Sequence, residues 1–386
     1  MRFHPVAAVL IVATFDAGCA DTQRPLAPRL AATPSFSMGG AAACPTPATV
    51  VVTDEAGLNA ALAAASPGEV IGLGAFFGVS ADVLVNASNI TLTCAVAGAG
   101  VFATNPGVID MLEINGAGVT VDRLVLDASA SSDGPAVANN DGITGFATAL
   151  HFTRNTVTCG PGICLFLVGS TGAVVSDNQF TAGETFTGVH IQESNIAAPD
   201  NTVVAGNTIV ATAPSIANAF GAIRVHTGFR VTISGNVVTG PWKNSTALTS
   251  ITAGVVENNR LEDALLFGIR LSSGSFVPSF VTQTTFRNNR VTGAGQGGGF
   301  ADKACGNTFF GNNLNGNAGD IGLIFPGQSG ANVLSGNQNV VIDDGAWDCD
   351  GDGVNDPNII TGKGKVLHGA SLAPLADMQQ DLGRLK

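Results

Sequence analysis

An asparagine followed by apolar residues recurs along most of the chain, and this repeat constrains the fold more than any other feature. It is clear in VTISGNVVTG (231–240) and in VVSDNQFTAG (174–183). A period of 20 to 30 residues indicates a solenoid, in which each repeat packs on its neighbours. Aligned copies are spaced by 23 to 30 residues, and their asparagines are Asn155, Asn178, Asn207, Asn236, Asn259, Asn289, Asn313 and Asn337.

The segments between these asparagines predict strands. They alternate apolar and polar residues and are rich in valine, threonine and glycine, of which the chain has 50. Period-two alternation and β-branched residues favour short strands, so a helical solenoid is excluded. Leucine-rich repeats are disfavoured because leucine does not recur in their fixed frame. We expect each asparagine to lie at a turn, in the left-handed backbone region, and to stack on its equivalent in the next coil.

The repeats resemble those of right-handed parallel β-helix proteins of the pectate-lyase-like superfamily. The unit in that superfamily reads roughly G-I-x-L, then a strand, then an asparagine before an apolar residue. It appears here in GICLFLVGSTGAVVSDNQF (162–180) and AIRVHTGFRVTISGNVV (222–238). The resemblance implies an all-β fold, a right-handed parallel β-helix over residues 49–342. It does not define a reaction, because this fold hosts many activities.

The resemblance also implies a short helix that caps the N-terminal end of the coil. TDEAGLNAALAAAS (53–66) predicts such a helix, because Leu58 and Leu62 share one face and acidic residues occupy the first turn. We expect Thr53 to be its N-cap.

The first 20 residues are typical of an export signal. The apolar run Val6–Phe15 is too short to span a bilayer and suits a signal peptide. DAGCA (16–20) resembles a lipobox, in which Cys19 would be lipidated, although Asp16 stands where an aliphatic residue is usual; cleavage after Ala20 is the alternative. The predicted domain order is a signal peptide (1–20), an Ala/Pro-rich linker (21–48), the β-helix with its cap (49–342), a calcium loop (343–357) and a C-terminal tail (358–386).

Export changes how the remaining cysteines are interpreted, because disulfides persist in oxidising compartments. Six cysteines allow several pairings, and the sequence alone does not choose among them. Proximity favours Cys159–Cys164, after which Cys44–Cys94 and Cys305–Cys349 would follow. A zinc site is disfavoured, because no paired CxxC spacing exists and histidine is scarce.

The repeat alignment predicts which side chains share a face, because strand residues alternate between the two sides of a sheet. Eight positions should point inward: Ile163, Val189, Ile223, Ile269, Leu165, Ile191, Val225 and Leu271. A first outward row would then contain Cys164, His190, Arg224 and Arg270, with Arg270 two coils beyond Arg224. A second outward row would contain Phe166, Gln192, His226 and Ser272.

Basic residues gather on this predicted face although the chain has a net charge of −12. The substrate-binding candidates are His190, Gln192, Arg224, His226 and Arg270. In the polysaccharide lyases that the repeats resemble, a basic residue removes a proton beside a carboxylate, and a cation neutralises that carboxylate. The resemblance makes Arg224 or His226 the candidate base, with His190 and Arg270 as further catalytic candidates and Arg270 holding the carboxylate. The alternative is a solvated face whose long side chains cover apolar surface.

Other features weigh against catalysis. The chain has no tyrosine and only two tryptophans, Trp242 and Trp347, although sugar-binding grooves usually offer aromatic platforms. It also lacks the NTD, paired-aspartate and GHG signatures of resembling polygalacturonases. We therefore expect an extracellular or cell-surface module that interacts with a polysaccharide; the alternatives are a lyase of a uronate polymer and a purely structural or adhesive envelope protein. We expect a monomer that binds no nucleic acid, because the composition shows no basic face, and that meets a membrane only through a lipid anchor.

A second group of candidate functional residues, potential metal ligands, lies in DCDGDGVNDP (348–357). Its carboxylates, from Asp348, Asp350, Asp352 and Asp356, are spaced so that they can converge on one cation where glycine lets the chain curl. The segment resembles the calcium loops of dockerins and thrombospondin type 3 repeats, but Ile359 stands where an EF-hand has its bidentate glutamate. We expect a structural Ca²⁺ site near the end of the coil; a solvated acidic turn is the alternative.

Overall fold

The structure is a computed structural model that describes residues 44, 47–131, 136–140, 148–194, 198–215, 219–272, 280–337, 340–362 and 365–367. The predicted signal peptide, Cys19 and most of the linker lie outside these residues. No helix within them is long and apolar enough to cross a membrane.

Successive coils of the described chain each add one strand to long parallel sheets. Sheet 1 has 13 strands within the described ranges: Val50–Val52, Val70–Leu73, Thr91–Cys94, Thr120–Asp122, His151–Thr153, Val174–Ser176, Val203–Ala205, Thr232–Ser234, Val255–Glu257, Thr285–Arg287, Thr308–Phe310, Val333–Ser335 and Ile359–Thr361. Sheet 2 has nine there: Phe76–Val79, Gly100–Ala103, Val125–Asp127, Thr156–Thr158, Gln179–Ala182, Thr208–Ala211, Val237–Thr239, Arg260–Glu262 and Arg290–Thr292.

Sheet 3 carries the residues of functional interest. Its 12 strands in the described part of the chain are Val83–Val85, Leu112–Ile114, Val137–Asn140, Ile163–Val168, Thr187–Gln192, Gly221–Val225, Asn244–Thr249, Phe267–Ser272, Gly297–Ala301, Ile321–Phe325, Val340–Asp343 and Val366–Leu367. Sheet 4 is a short parallel sheet of Gly228–Phe229, Ile251–Thr252, Val281–Thr282, Ala304–Cys305 and Ser329–Gly330. An antiparallel pair, Ala346–Trp347 with Asp356–Pro357, and a 3₁₀ turn, Ala318–Asp320, complete the elements described.

The predicted all-β parallel solenoid with a short helix near its start is confirmed. The coil interior is filled by aliphatic side chains and stacked phenylalanine rings, such as Phe286 and Phe309, whose centroids lie 4.6 Å apart. The helix spans Glu55–Ala64 and buries Leu58 and Leu62 against the first coil, as the sequence predicts. Its N-cap is Asp54 and not Thr53, because the Asp54 carboxylate accepts the amide hydrogen of Gly57 at 2.7 Å.

A ladder of buried asparagines holds the coils in register. In each member before the last, the side-chain amide donates to a backbone carbonyl of the preceding coil and to the side-chain oxygen of the next asparagine. The last member, Asn337, donates to the carbonyl of Phe309. Asn178, for example, donates to the carbonyl of Phe152 and to Asn207 Oδ1, both at 2.9 Å, and accepts the amide hydrogen of Asn155 at 2.8 Å. The members are Asn155, Asn178, Asn207, Asn236, Asn259, Asn289, Asn312 and Asn337.

Two expectations about this ladder are wrong. Asn312, which is 3% exposed, occupies the position that the sequence alignment gives to Asn313, whose side chain is exposed. The left-handed residue is also not the ladder asparagine but the one immediately before it. Its φ is 66° at Gly206, 58° at Asp177 and 62° at Gly311. Glycine, aspartate or asparagine holds this left-handed position in every coil of the ladder except the first, where Arg154 has a φ of 54°.

A second, shorter ladder was not predicted. Asn307 donates to Asn332 Oδ1 at 3.0 Å, and Asn332 donates to Asn358 Oδ1 at 2.8 Å. This ladder carries the coil past residue 342, where the sequence analysis ends it. Strands Ile359–Thr361 and Val366–Leu367 continue sheets 1 and 3. Residues 343–357 are therefore an excursion within a coil, and these two strands belong to the β-helix and not to a separate tail.

Disulfides join Cys44 to Cys94, Cys159 to Cys164 and Cys305 to Cys349 in the described residues. This is the pairing that proximity favoured. The last of the three ties the excursion after residue 343 back to the coil. Because such bonds persist in oxidising compartments, they indicate that the folded protein resides in one.

The asparagine ladder predicts a sharp difference between two adjacent residues. Asn312→Ala leaves the amide hydrogens of Asn289 and the carbonyl of Phe286 without their partner, which should lower the free energy of unfolding by about 1–3 kcal/mol. Asn313→Ala, the matched control, should change it by less than about 0.5 kcal/mol. Urea denaturation of both variants measures the difference. Equal effects would show that the ladder does not stabilise the coil.

Candidate functional site

One line of side chains crosses the outer surface of sheet 3, one from each strand. We call this line the outward row, and its central members, each opposite the next, are Phe166, His190, Arg224, Ala247, Arg270 and Phe300. Arg224 and Arg270 are two strands apart, as predicted, which places their backbones about 10 Å apart. The row thus brings a histidine and two arginines onto one face, between two phenylalanines.

The predicted position of Cys164 in this row is wrong. Leu165 lies opposite Val189 and Ile163 lies opposite Thr187, so the repeat frame is shifted by two residues in that coil. Phe166, which the sequence assigned to the second row, is therefore the neighbour of His190. Cys164 is buried and forms its disulfide with Cys159.

His190 is recessed in the row and only 3% exposed. Its ring packs on Phe166, with centroids 5.0 Å apart, and neither ring nitrogen has a hydrogen-bond partner in the described structure. Burial lowers the pKa of His190 well below its usual value. The positive charge of Arg224 lowers it further, as does that of His226 whenever the His226 ring is protonated. His190 is therefore neutral at neutral pH, with one donor and one acceptor nitrogen.

Arg224, opposite His190 on the next strand, packs on an aromatic ring. Its guanidinium carbon lies 3.4 Å from the ring centroid of Phe220, in a cation–π contact, and Phe220 packs edge-on against Phe186 at 5.6 Å. Burial lowers the pKa of Arg224 to about 10, and the carboxylate of Glu193 opposes that shift. The guanidinium thus remains charged at neutral pH, but it is less hydrated than an exposed arginine.

His226 is paired with Glu193, a residue that the sequence analysis missed. His226 Nδ1 lies 3.0 Å from both carboxylate oxygens of Glu193, which is buried. Because a carboxylate only accepts hydrogen bonds, the pair places a proton on Nδ1 and leaves Nε2 as the basic nitrogen. Glu193 follows the end of strand Thr187–Gln192, where strict alternation no longer predicts side-chain direction. We call His190, Glu193, Arg224 and His226 the basic cluster.

The second outward row flanks the cluster. Gln192 is half-buried opposite Val168, and the amide of His226 donates to the carbonyl of Ile191, which keeps Gln192 and His226 on neighbouring coils. Further along, Asp302 lies near Arg270. Burial raises the pKa of the Asp302 carboxyl, while Lys303 and Arg270 act in the opposite direction.

The aromatic surface of this face comes from phenylalanine. Phe166, Phe186, Phe220 and Phe300 are all half-buried, so each ring exposes part of its surface near the basic residues. Trp242, in contrast, is fully buried. Phenylalanine, and not the tyrosine or tryptophan expected of a sugar-binding groove, therefore supplies the aromatic surface of this face.

The segment DCDGDGVNDP (348–357) brings together three of the four predicted Ca²⁺ ligands. Carboxylate oxygens of Asp348, Asp350 and Asp356 lie within 4.8 Å of one another. Asp348 also accepts the amide hydrogens of Gly351 at 2.7 Å and Gly353 at 2.8 Å, and these backbone hydrogen bonds, that of Gly353 foremost, lower the pKa of its carboxyl.

Asp352 does not join this group. Its carboxylate accepts the amide hydrogen of Val354 at 2.7 Å instead. The oxygen donors of the other three suit a hard cation such as Ca²⁺.

Comparisons with known proteins agree with the fold. The family profile described as "Right handed beta helix region" matches residues 186–346, which include the basic cluster. No curated protein sequence matches the chain. The structure is similar to the A-module of the Azotobacter vinelandii mannuronan C-5 epimerase AlgE4, with a TM-score of 0.59 and 15% identity over 82% of this chain and 94% of that one.

Two further solved structures are similar. One is PfbA, a surface adhesin of Streptococcus pneumoniae, with a TM-score of 0.54 and 12% identity over 74% of this chain and 80% of that one. The other is a mannuronic acid specific polysaccharide family 6 lyase from human gut microbiota, with a TM-score of 0.50 and 11% identity over 82% of each chain. The structure therefore has the fold of a right-handed parallel β-helix, and the matching profile covers residues 186–346 of it. At these identities the likeness concerns the fold alone.

Proposed function

We propose that the chain binds an acidic polysaccharide, one that contains uronate sugars, along the outward row of sheet 3. The observation that supports this most is the placement of Arg224 and Arg270 in one row between the rings of Phe166 and Phe300. Guanidinium groups bind carboxylates in paired hydrogen bonds, and aromatic rings pack on the apolar faces of sugars. The names of two similar folds, a mannuronan epimerase and a mannuronic acid specific lyase, agree with this class of ligand.

The packing of Arg224 adds to the argument. A guanidinium fixed over Phe220 has little side-chain freedom to lose when a carboxylate arrives, and its partial burial has already removed part of its water. Both effects reduce the cost of binding. The net charge of −12 also means that an anionic polymer is repelled by the chain as a whole, which favours this local basic surface.

The proposal also includes where the protein is located and in which oligomeric state it works. We propose that residues 1–20 direct export, that Cys19 anchors the protein to a membrane if it is lipidated, and that the β-helix works as a monomer outside the cell or on its surface. The three disulfides support an oxidising location.

Binding predicts distinct effects for three arginines. Arg224→Ala and Arg270→Ala should each weaken the binding of polygalacturonate or polymannuronate by about tenfold, because each removes a charge-assisted hydrogen bond. Arg290→Ala, on the exposed surface of sheet 2, is the matched control and should bind like the wild type. Calorimetric titration measures all three. If wild type retains no uronate polymer, the purely structural or adhesive function is favoured instead.

The pair of Glu193 and His226 favours a second candidate function, lyase activity on the same polymer. His226 Nε2 would take the proton from the carbon beside the uronate carboxylate, while Arg224 stabilises the negative charge that develops there. The electrons of that C–H bond form a C=C bond as the glycosidic C–O bond breaks, and the departing oxygen takes a proton from water. Glu193 would act as a positioning residue that fixes the tautomer of His226.

Lyase activity predicts an unsaturated product that absorbs ultraviolet light. His226→Gln should abolish its formation, and Glu193→Gln should lower kcat by roughly 10²-fold with a smaller change in KM, because orientation of the base is lost. Arg290→Ala should leave the rate unchanged. Wild-type protein that binds uronate polymers but releases no unsaturated product would contradict catalysis and leave the binding function.

We also propose that Asp348, Asp350 and Asp356 hold a structural Ca²⁺. The three converging carboxylates support this proposal, and the disulfide of Cys349 places the loop against the coil. The ion would stabilise the excursion after residue 343 and take no part in binding the polymer.

The calcium site predicts that a chelator lowers Tm and that added Ca²⁺ restores it, because a ligand that binds only the folded state stabilises it. Asp350→Asn should abolish this response. Asp352→Asn is the control and should keep most of it, because the Asp352 carboxylate lies outside the converging group. A wild-type Tm that is the same in chelator and in Ca²⁺ would contradict the site.

A further inference from the structure

We infer that the binding footprint on sheet 3 is bounded at both ends, so that the chain recognises a short acidic oligosaccharide segment and not a polymer laid along the whole solenoid. This inference rests on the proposed function. Two observations support it: the residues beyond Phe166 are acidic, and the residues beyond Phe300 are apolar and buried.

Toward the N-terminus the surface turns acidic. Beyond Phe166 and the strand Val137–Asn140, the next described side chain in the register of the row is Glu113, about 10 Å from Phe166. Glu113 is half-buried, and its carboxylate accepts one weak hydrogen bond, from Asn115 Nδ2 at 3.3 Å.

Two more carboxylates lie beside Glu113. Asp82 accepts the amide hydrogens of Ile109 at 2.8 Å and Asp110 at 3.2 Å. Burial, together with repulsion from Asp82 and Glu113, raises the pKa of Asp110 to about 6. An anionic polymer that extended over this end would meet like charges, which oppose binding.

Toward the C-terminus the row becomes apolar and closed. Ile324 and Ile342 follow Phe300 in register, yet they are 0% and 6% exposed. They form a small apolar cluster with Phe267, against which Phe300 packs. Residues buried in this way offer neither a charge nor an open surface to a uronate.

The basic segment therefore runs from Phe166 to Phe300. His190 and Ala247 are buried within it, but its two phenylalanines and both arginines are half-exposed. Five strand-to-strand steps separate these residues in the register, which corresponds to about 24 Å along the row. A uronate chain of that length fills the segment, and a longer chain gains no further favourable contact.

Titration with galacturonate oligomers of defined length, from dimer to dodecamer, tests this inference. The affinity of the full-length protein should increase with length and stop increasing once the oligomer exceeds about 24 Å. Glu113→Lys should move that limit to longer oligomers and tighten the binding of the longest by about fivefold, the range expected for one partly exposed charge pair. Asp127→Lys makes the same change of charge on sheet 2 and should leave the limit where it is.

The outcomes separate this inference from the function on which it rests. An affinity that keeps rising to the longest oligomer, or a Glu113→Lys variant that behaves like Asp127→Lys, would overturn the bounded footprint while leaving polysaccharide binding intact. A wild-type protein that binds none of the oligomers would overturn the proposed function and the footprint together.

Discussion

Stacked, hydrogen-bonded asparagine side chains fix the register on which the rest of this structure depends. A buried amide inside the ladder, such as that of Asn178, uses both donors and its oxygen. A coil shifted by one residue would therefore leave several polar atoms buried without partners, at about 1–3 kcal/mol each. Register in turn decides which side chains face outward on neighbouring coils. The row of Arg224 and Arg270 exists because the ladder around Asn236 and Asn259 prevents slippage between their coils.

The basic cluster combines groups whose burial would be unfavourable for each alone. His190 is buried without a hydrogen-bond partner and stays neutral, while Arg224 keeps its charge over the ring of Phe220 beside Glu193. Unsatisfied buried polar groups are rare in stable proteins and occur often at functional sites. The buried ring of His190 and the partly buried guanidinium of Arg224, with the Glu193–His226 pair beside them, make this face of sheet 3 the best candidate site.

Much of this architecture could be predicted from the sequence, because strand alternation and repeat spacing are local signals. They placed His190, Arg224 and Arg270 in one row. The shift of two residues at Phe166 could not be predicted, because the G-I-x-L pattern occurs in that coil at a different point of the strand. Glu193 was missed because it lies beyond its strand, where only the three-dimensional path of the chain brings it to His226.

A crystal structure of the protein with a bound galacturonate or mannuronate oligomer would test the central claim most directly. The account predicts sugar density along the outward row between Phe166 and Phe300, with carboxylates at Arg224 and Arg270. Density on another face, or none on sheet 3 at a concentration that saturates binding in solution, would contradict it.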